Sequence, residues 1–336
     1  MMKHQYIERR TGRVVTERLY GDRIVNLLYS KAREDSNGLY RAFSSQRMTN
    51  VLGFINFDLP IPRKVSSASR FFDACGMDID ELLGSPQELK TIRNLFERKI
   101  RYWDCRPMPE GERLVVSPAD SRIVVGSFDH VSSLFLKEKF FSFDELLGRN
   151  KPEWLKAFTD GDFAVFRLTP EKYHYNHCPV AGIVRDIYEI NGRYHACNPR
   201  AVVAAATPYS KNKRVVTVID TDTPMGTQVG LVALIEVVAL MIGDIVQCYS
   251  EHRYDAPRPA ARGMFLRKGL PKSLYRPGSS TDVLLFQKNR IEFASDILRN
   301  MHRKEALSRF SLGFGKSLVE TEVDVRSYIA SGKPPV

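Results

Sequence analysis

Cysteine is scarce in this sequence, and its few residues follow no pattern that would cross-link the chain or bind a metal. Five cysteines are scattered along the chain, and no two of them form a CxxC pair. The sequence therefore indicates neither a disulfide framework nor a cysteine-based zinc site. A reducing compartment suits such a chain best, and we expect a cytoplasmic location.

A long hydrophobic run is also missing. The longest apolar stretch, residues 230–243, is too short to span a bilayer, and Glu236 lies near its middle, where a carboxylate would be costly in lipid. The N-terminal residues lack the apolar core of a secretory signal. We therefore expect buried strands in residues 230–243 and a protein that is soluble or peripheral on a membrane.

Positive charge is what the chain has in excess. Its 336 residues carry a formal net charge of +11, with an ordinary content of 43% hydrophobic and 26% charged residues. This charge favours an anionic partner, which would be nucleic acid, an acidic substrate or an anionic membrane surface; a basic surface without a specific partner is the alternative. No nucleic-acid-binding module accompanies the charge, so we expect no nucleic acid partner.

The character of the sequence changes near residue 105. We predict an α+β fold with a helical N-terminal region, residues 1–105, followed by a mainly antiparallel β core, residues 106–336. Apolar residues recur at helical spacing between Arg23 and Lys31, and Ser85–Pro86 is typical of a helix start. These helices would either lie on a lipid interface or pack on the rest of the protein.

The core region is predicted to consist mostly of strands. From Leu114 onward, short β-rich runs alternate with turn residues, and few helical stretches lie between them, which favours antiparallel pairing. Residues 290–309 are predicted to form one more helix. The predicted strands read LVVS, RIVVGSF, FAVFRL, GIVRDIYEI, VVTVID, LVALIEVVAL and DVLLFQ.

Three short segments place reactive side chains beside turn residues. The first, VSPAD, ends at Asp120; the second, YHYNHCPV, carries His174 and His177; the third, PGSSTDVLLF, contains Ser279 and Ser280. Each has an ordinary interpretation, as an exposed acid, a histidine pair without a chemical role, and a turn. A metal site at the histidines would need further ligands, and a single histidine is nearby in sequence, so we predict no metal.

In this order, the three segments resemble the signature blocks of the phosphatidylserine decarboxylase family, which read SPADG, YHRxHxPVxG and FGGSTVVLLF. Three further stretches, at residues 6–12, 95–99 and 135–148, resemble other elements of that family. The resemblance therefore covers nearly the whole chain.

The resemblance implies a proenzyme that cleaves itself between Ser279 and Ser280. In the matching positions, Asp120 orients His177, and His177 takes the proton of the Ser280 hydroxyl as that hydroxyl attacks the preceding carbonyl. Elimination and hydrolysis then leave a pyruvoyl cofactor derived from Ser280, whose ketone forms a Schiff base with the substrate amine. His174 is implied to protonate the carbanion or to place the substrate carboxylate.

The implied enzyme is a carboxy-lyase that converts phosphatidylserine to phosphatidylethanolamine and carbon dioxide at an anionic membrane surface, with its two fragments remaining associated. The region before residue 75 would bind the membrane through its basic charge, and a homo-oligomer is compatible with the sequence. Two alternatives stay open. One is a soluble decarboxylase of a free aromatic amino acid, and the other is a relative that never matures and binds lipid.

The chain departs from the family pattern at several positions. Ser121 stands where the family has glycine, Tyr175 and Asn176 replace arginine and phenylalanine between the histidines, and residues 211–214 read KNKR instead of ENER. Ser279 replaces the glycine before the reactive serine. Because glycine eases close backbone approach and unusual backbone angles, we expect its loss to affect the efficiency of cleavage, whereas the changes between the histidines bear on the substrate.

Overall fold

The computed structural model of the protein describes residues 3–17, 77–128, 141–192, 208–238, 244–277, 280–315 and 317–334. The strands in these ranges are β1 (Gln5–Glu8), β2 (Val14–Thr16), β3 (Leu114–Val116), β4 (Ser121–Ser127), β5 (Asp162–Leu168), β6 (Tyr175–His177), β7 (Gly182–Ile190), β8 (Arg214–Asp220), β9 (Leu231–Val238), β10 (Ile245–Gln247), β11 (Phe265–Leu266), β12 (Pro271–Tyr275), β13 (Ser280–Phe286), β14 (Ile291–Phe293), β15 (Thr321–Val323) and β16 (Tyr328–Gly332). The α-helices are α1 (Ile92–Phe96), α2 (Tyr102–Cys105), α3 (Phe143–Leu147), α4 (Pro152–Phe158), α5 (Pro208–Lys211), α6 (Ser295–Met301) and α7 (Arg309–Phe314).

The described strands form three sheets. The largest has ten strands in the order β11-β7-β8-β9-β13-β5-β4-β15-β1-β2, and two three-stranded sheets have the orders β10-β12-β6 and β14-β16-β3. Neighbouring strands are antiparallel except for β1 and β15, which run parallel. The prediction of an α+β chain with a mainly antiparallel core is therefore confirmed at this level.

Strand β13 lies in the middle of the large sheet and is buried on both faces. It pairs along its whole length with β5 on one side and β9 on the other. Because side chains alternate along a strand, Val283 and Leu285 join an apolar cluster on one face, and Leu284 and Phe286 join a second cluster on the opposite face. The smaller sheets contribute Val115, Ile291 and other residues to the second cluster. A strand in this position is inaccessible to solvent.

The beginning of the chain forms a β-hairpin, which differs from the helical prediction for the first hundred residues. β1 and β2 pair with each other, and β1 continues the large sheet beside β15. Ile7 is fully buried against Val319 and Ala306, so tertiary packing gives this segment a strand partner that its own sequence does not reveal. The predicted boundary at residue 105 stays a prediction.

A buried network of charges attaches this hairpin to the sheet. The Arg167 guanidinium lies 2.8 Å from a carboxylate oxygen of Glu17 and 2.6 Å from one of Glu320. Arg122 lies 2.7 Å from Glu17, and His4 lies 2.7 Å from Glu320. Burial alone would raise the pKa of Glu17 and Glu320, but the nearby guanidinium groups outweigh it and lower both pKa values. The network therefore holds its carboxylates in the charged form.

Residues 77–106 contain short helical pieces in place of the long helix predicted from Ser85 onward. Ser85 caps a 3-10 turn at Pro86–Glu88 as expected, but the chain then leaves the helical conformation at Leu89. A new helix, α1, starts with a capping box between Thr91 and Asn94. The predicted helix is therefore interrupted between Leu89 and Thr91. The other predicted N-terminal helical segment, near residues 23–31, lies outside the described residues.

Most predicted elements of the core are confirmed. Each of the seven predicted β-rich runs contains a strand, and the apolar stretch from residue 230 forms the buried strand β9 as far as Val238. The predicted helix at residues 290–309 is shorter and is limited to α6. Within the described ranges, no helix has the length and apolar character needed to cross a membrane.

Candidate active site

Ser280 is the first residue of β13 and is enclosed by the sheet. It pairs with Leu168 of β5 and with Val238 of β9, and it is 2% exposed. Its hydroxyl oxygen has no hydrogen-bond partner among the described residues, although buried hydroxyl groups are usually paired. Such an unpaired, buried hydroxyl is a candidate nucleophile. Ser279 lies outside the described residues, so cleavage before Ser280 stays a prediction.

His177 is held as a neutral base at the end of β6. Its Nδ1 lies 2.9 Å from the carbonyl oxygen of Gly269, which can only accept, so Nδ1 carries the proton and Nε2 is the free acceptor. The hydroxyl of Tyr173 lies 3.0 Å from Nε2. Burial lowers the pKa of His177 to about 3. The imidazole is therefore neutral at physiological pH and able to accept a proton at Nε2.

The hydroxyl that faces His177 belongs to a buried pair of tyrosines. The oxygens of Tyr173 and Tyr254 are 2.7 Å apart, and the Tyr254 hydroxyl donates to the carbonyl of Ile100 over 2.8 Å. Burial raises the pKa of both phenols, so they stay protonated. In this arrangement the Tyr173 hydroxyl lies against the basic nitrogen of His177.

Asp120 does not orient His177 directly, which corrects the expectation taken from the family. Its carboxylate is held by the Arg106 guanidinium, at 2.8 Å for the shortest contact, and by the backbone N–H of Val325 at 2.7 Å. Burial alone would raise the pKa of Asp120, but Arg106 outweighs it and lowers the pKa. Gly269 therefore determines the His177 tautomer, and the role of Asp120 in the site stays a prediction.

The segments of Asp120 and His177 are nevertheless joined through their backbones. The N–H of His177 donates to the carbonyl of Pro118 over 2.8 Å, and the N–H of Val116 donates to Pro179 over 3.0 Å. The VSPAD and YHYNHCPV segments therefore lie side by side.

His174 is a buried imidazole without hydrogen bonds. Neither ring nitrogen has a partner among the described residues, and the ring stacks on Phe96 with centroids 3.5 Å apart. Burial and, to a smaller extent, the charge of the nearby Arg98 lower the pKa of His174 to about 3. The backbone carbonyl of His174 accepts from the N–H of Tyr275 over 3.0 Å, which connects this histidine to the strand that leads towards Ser280.

Three of the four predicted residues, Asp120, His174 and Ser280, adjoin one small apolar cluster formed by Ala119, Leu168, Val238 and Tyr275. Ala119 precedes Asp120, Leu168 and Val238 flank Ser280 in the sheet, and Tyr275 bonds to the backbone of His174. The structure therefore brings the backbones of these segments together. It gives no direct side-chain hydrogen bond among the four residues.

Sequence reasoning missed a buried acidic pair beside Ser280. Asp282 lies opposite Glu236 in the β13–β9 register, and the Glu236 carboxylate lies 2.8 Å from the ammonium of Lys272, which is also fully buried. Asn176 donates to Glu236 over 3.3 Å. The sequence did offer one indication of Asp282, because the family block has valine at that position. Nothing in the sequence pointed to Arg106 or Lys272.

A cavity of about 470 Å³ lies next to Arg106, on the outer side of the site. Its basic side chains already have acidic partners: Arg10 contacts Asp324, Lys172 contacts Glu322, and Arg106 contacts both Glu81 and Asp120. Arg9, which also lines the cavity, contacts Asp296. Among the described residues that line the cavity, no unpaired cation is therefore left to attract an anionic headgroup.

Comparison with known proteins gives consistent matches. A family model described as phosphatidylserine decarboxylase matches residues 92–308. The phosphatidylserine decarboxylase proenzyme of Fusobacterium nucleatum is 26% identical over 309 residues, which cover 90% of this chain and 93% of that protein. The proenzyme of Chlamydia trachomatis is 29% identical over 295 residues, or 87% and 90% of the two chains. Phosphatidylserine decarboxylase proenzyme 3 of Schizosaccharomyces pombe is 28% identical over 317 residues, or 92% of this chain and 30% of that longer protein.

The matched range includes all four predicted site residues. Asp120, His174, His177 and Ser280 all lie within residues 92–308. The relatives are named as proenzymes, and the range that matches the family contains the Ser280 hydroxyl, which is buried and has no partner among the described residues.

Proposed function

This chain belongs to the phosphatidylserine decarboxylase family, and we propose that it is a self-processing carboxy-lyase whose pyruvoyl group is made from Ser280. It converts phosphatidylserine to phosphatidylethanolamine and carbon dioxide. The observation that carries the proposal is the Ser280 hydroxyl, which is buried and unpaired among the described residues at the start of a central strand.

Self-processing uses the chain's own groups. Nε2 of His177 takes the Ser280 proton, and Oγ attacks the carbonyl carbon of Ser279. The C–N bond breaks, its nitrogen takes a proton, and an ester remains. Removal of the Ser280 α-proton then breaks the Cβ–Oγ bond, so that Ser279 leaves as the carboxylate end of the long fragment. Water replaces the resulting enamine nitrogen, which departs as ammonia, and the pyruvoyl group remains.

The neutral state of both histidines suits these roles. His177 must be unprotonated to act as a base, and its lowered pKa of about 3 keeps it so. His174 has two unpaired ring nitrogens, one a donor and one an acceptor in the neutral form. We assign His174 to the substrate carboxyl group, which it holds or supplies with a proton after carbon dioxide leaves. The pyruvoyl group supplies the electron sink for that departure.

Strand pairing supports continued association of the two fragments. A cut before Ser280 makes β13 the first strand of the short fragment, while both of its neighbours, β5 and β9, remain in the long fragment. Every residue of β13 is buried. Separation of the fragments would expose this strand and break two ladders of hydrogen bonds, so we propose that they stay together.

The structure weakens one reason for a soluble amino-acid decarboxylase. Tyr175 stacks on Tyr173 with ring centroids 5.5 Å apart, and the side-chain amide of Asn176 bonds to Glu236 and Ser273. Both departures from the family pattern therefore have packing roles within the protein. A lipid substrate remains the better proposal.

We also propose a cytoplasmic protein that is peripheral on an anionic membrane, its attraction supported by the net charge of +11. Flotation with anionic and neutral vesicles at low and high salt tests this. Binding to anionic vesicles that weakens with salt is expected; equal flotation with neutral vesicles would exclude the electrostatic contribution.

The decisive experiment is the intact mass of the purified protein together with product analysis. We expect a long fragment of residues 1–279 and a short fragment that begins with pyruvoyl from Ser280. Phosphatidylserine in mixed micelles should release carbon dioxide, whereas free aromatic amino acids should not. An uncut chain would instead support the relative that never matures, and turnover of tryptophan without lipid turnover would support the soluble enzyme.

A further inference from the structure

Tyr275 and Asp282 are connected across the segment that contains the proposed cut. Tyr275 ends β12, whereas Thr281 and Asp282 follow Ser280 in β13. The Tyr275 hydroxyl oxygen lies 3.0 Å from the carbonyl oxygen of Thr281 and 2.7 Å from Oδ1 of Asp282. It also accepts from the backbone N–H of Val237 over 3.0 Å. One phenol thus contacts both β9 and β13.

A count of hydrogens identifies the protonation state of Asp282. A tyrosine hydroxyl has one hydrogen to donate, and a backbone carbonyl can only accept. If the Tyr275 hydrogen goes to Thr281, the contact with Asp282 is a hydrogen bond only when the carboxyl group brings its own hydrogen. A neutral Asp282 therefore satisfies all three contacts of Tyr275, whereas an ionised one would leave a single Tyr275 hydrogen for two acceptors.

The surroundings of Asp282 favour the same state. The side chain is fully buried, and its Oδ2 has no partner among the described residues. The nearby cation, Lys272, bonds to Glu236 and to Gln247 instead. Burial raises the pKa of Asp282 well above its ordinary value, and the Glu236 charge across the strand pair raises it further. A buried carboxyl group without a cation is expected to be neutral.

The position of this pair relates it to Ser280. Ser280 and Asp282 are two residues apart on one strand and therefore point to the same face of the sheet. The Thr281 carbonyl, which Tyr275 holds, belongs to the residue directly after Ser280. Tyr275 is also fixed on its other side, because its N–H donates to the carbonyl of His174 over 3.0 Å.

We propose that Tyr275 and a neutral Asp282 form a hydrogen-bonded clamp that positions Ser280 for self-cleavage. This rests on the proposed function of Ser280. The clamp joins the end of β12 to the start of β13 and so fixes the backbone from which the Ser280 hydroxyl projects. Both are positioning residues, since they act through Ser280. Asp282 is a feature of this chain, because the family block has valine at that position.

The test follows processing during cell-free synthesis of the full chain, with the fraction of uncut protein measured over time. Tyr275→Phe removes the hydroxyl and should slow cleavage by about tenfold. Asp282→Leu and Asp282→Asn form a matched pair of similar size. The asparagine amide can still donate to Tyr275, so Asp282→Asn should cut at nearly the normal rate, whereas Asp282→Leu should cut about tenfold more slowly.

Folding is checked separately from processing. Each substitution is also made in a Ser280→Ala background, where thermal unfolding reports stability without cleavage. A purely structural role would make the cutting rates follow stability, with no specific rescue by asparagine. If the unsubstituted chain cuts and Tyr275→Phe or Asp282→Leu cuts equally fast, the clamp is wrong and the function stands. If Asp282→Asn is as slow as Asp282→Leu, donation by Asp282 is wrong. A chain that never cuts would overturn both the proposed function and the clamp.

Discussion

Two buried polar regions of this protein differ in whether their polar side chains have partners. In the network around Arg167, the carboxylates of Glu17 and Glu320 each contact a guanidinium group, and burial is offset by charge pairing. At the candidate active site, the side chains of His174 and Ser280 have no hydrogen-bond partners among the described residues. We expect the first region to stabilise the fold and the second to keep groups available for reaction.

The pKa values show the same contrast. Guanidinium groups lower the pKa values of Glu17 and Glu320 despite burial, so these residues stay charged. Burial lowers the pKa values of His174 and His177 to about 3, so these residues stay neutral. One low-dielectric interior thus holds charges where partners are supplied, and suppresses charge where they are absent.

The largest effects should come from the active site, where single substitutions abolish cleavage or turnover. Ser280→Ala, His177→Ala and Asp120→Ala should each leave an uncut chain, because the nucleophile, the base or the Asp120 carboxylate is lost. His174→Ala should still cut but decarboxylate about 100-fold more slowly or worse. Gel analysis and carbon dioxide release separate these two outcomes.

The control for this first prediction is Ser279→Ala, which removes the neighbouring hydroxyl and should still cut. Mass analysis of the short fragment distinguishes cleavage before Ser280 from cleavage before Ser279 by one serine residue. If Ser280→Ala cuts and Ser279→Ala does not, the assignment of the reactive serine is wrong.

An intermediate effect is expected in the charge network. Arg167→Met leaves Glu17 and Glu320 without their shared cation and should lower the free energy of unfolding by about 3–5 kcal/mol. Urea unfolding in a Ser280→Ala background measures this loss. Arg185→Met is the control, because the Arg185 side chain is 54% exposed in its pair with Asp220, and its loss should cost at most about 1 kcal/mol. Equal losses in the two variants would contradict a stabilising role for the network.

The smallest effect separates the two regions by pH. In the folded chain, His174 and His177 each have a pKa of about 3, below the ordinary histidine value of 6.5. As the pH falls below 6.5, these histidines are therefore protonated in the unfolded chain before they are protonated in the folded chain, which favours unfolding. Each should cost about 1.4 kcal/mol of stability at about pH 5.5. Glu17 and Glu320 have lowered pKa values, so their contribution is lost only at pH values below the ordinary value of 4.5.

Urea unfolding of the Ser280→Ala chain at about pH 7 and about pH 5.5 measures this difference. Adding His174→Gln should remove about half of the histidine contribution. The cutting rate of the unsubstituted chain should stay nearly constant over this range, because His177 remains neutral. A rate that falls with an apparent pKa near 6.5 would show that His177 titrates as an ordinary histidine.

Sequence alone determined the family and the antiparallel core, and it supplied the candidate residues of the site. Strands can be predicted from local sequence, because alternating or fully apolar runs bounded by turn residues are recognisable without knowing which strands pair with them. The ordered blocks around Asp120, His177 and Ser280 could be matched for the same reason. The N-terminal hairpin was missed, because β1 is a strand through its pairing with β15, from the far end of the chain.

Tertiary structure alone decided which hydrogen-bond partners the site residues have. Gly269, and not Asp120, determines the His177 tautomer; Arg106 holds Asp120; and Tyr275 meets Asp282 across the proposed cut. These contacts join segments that are distant in sequence or separated by a turn, and they depend on strand register and on how one sheet packs over another. A residue's type shows which bonds it can form, but only the fold brings its partner within reach and removes the competing water.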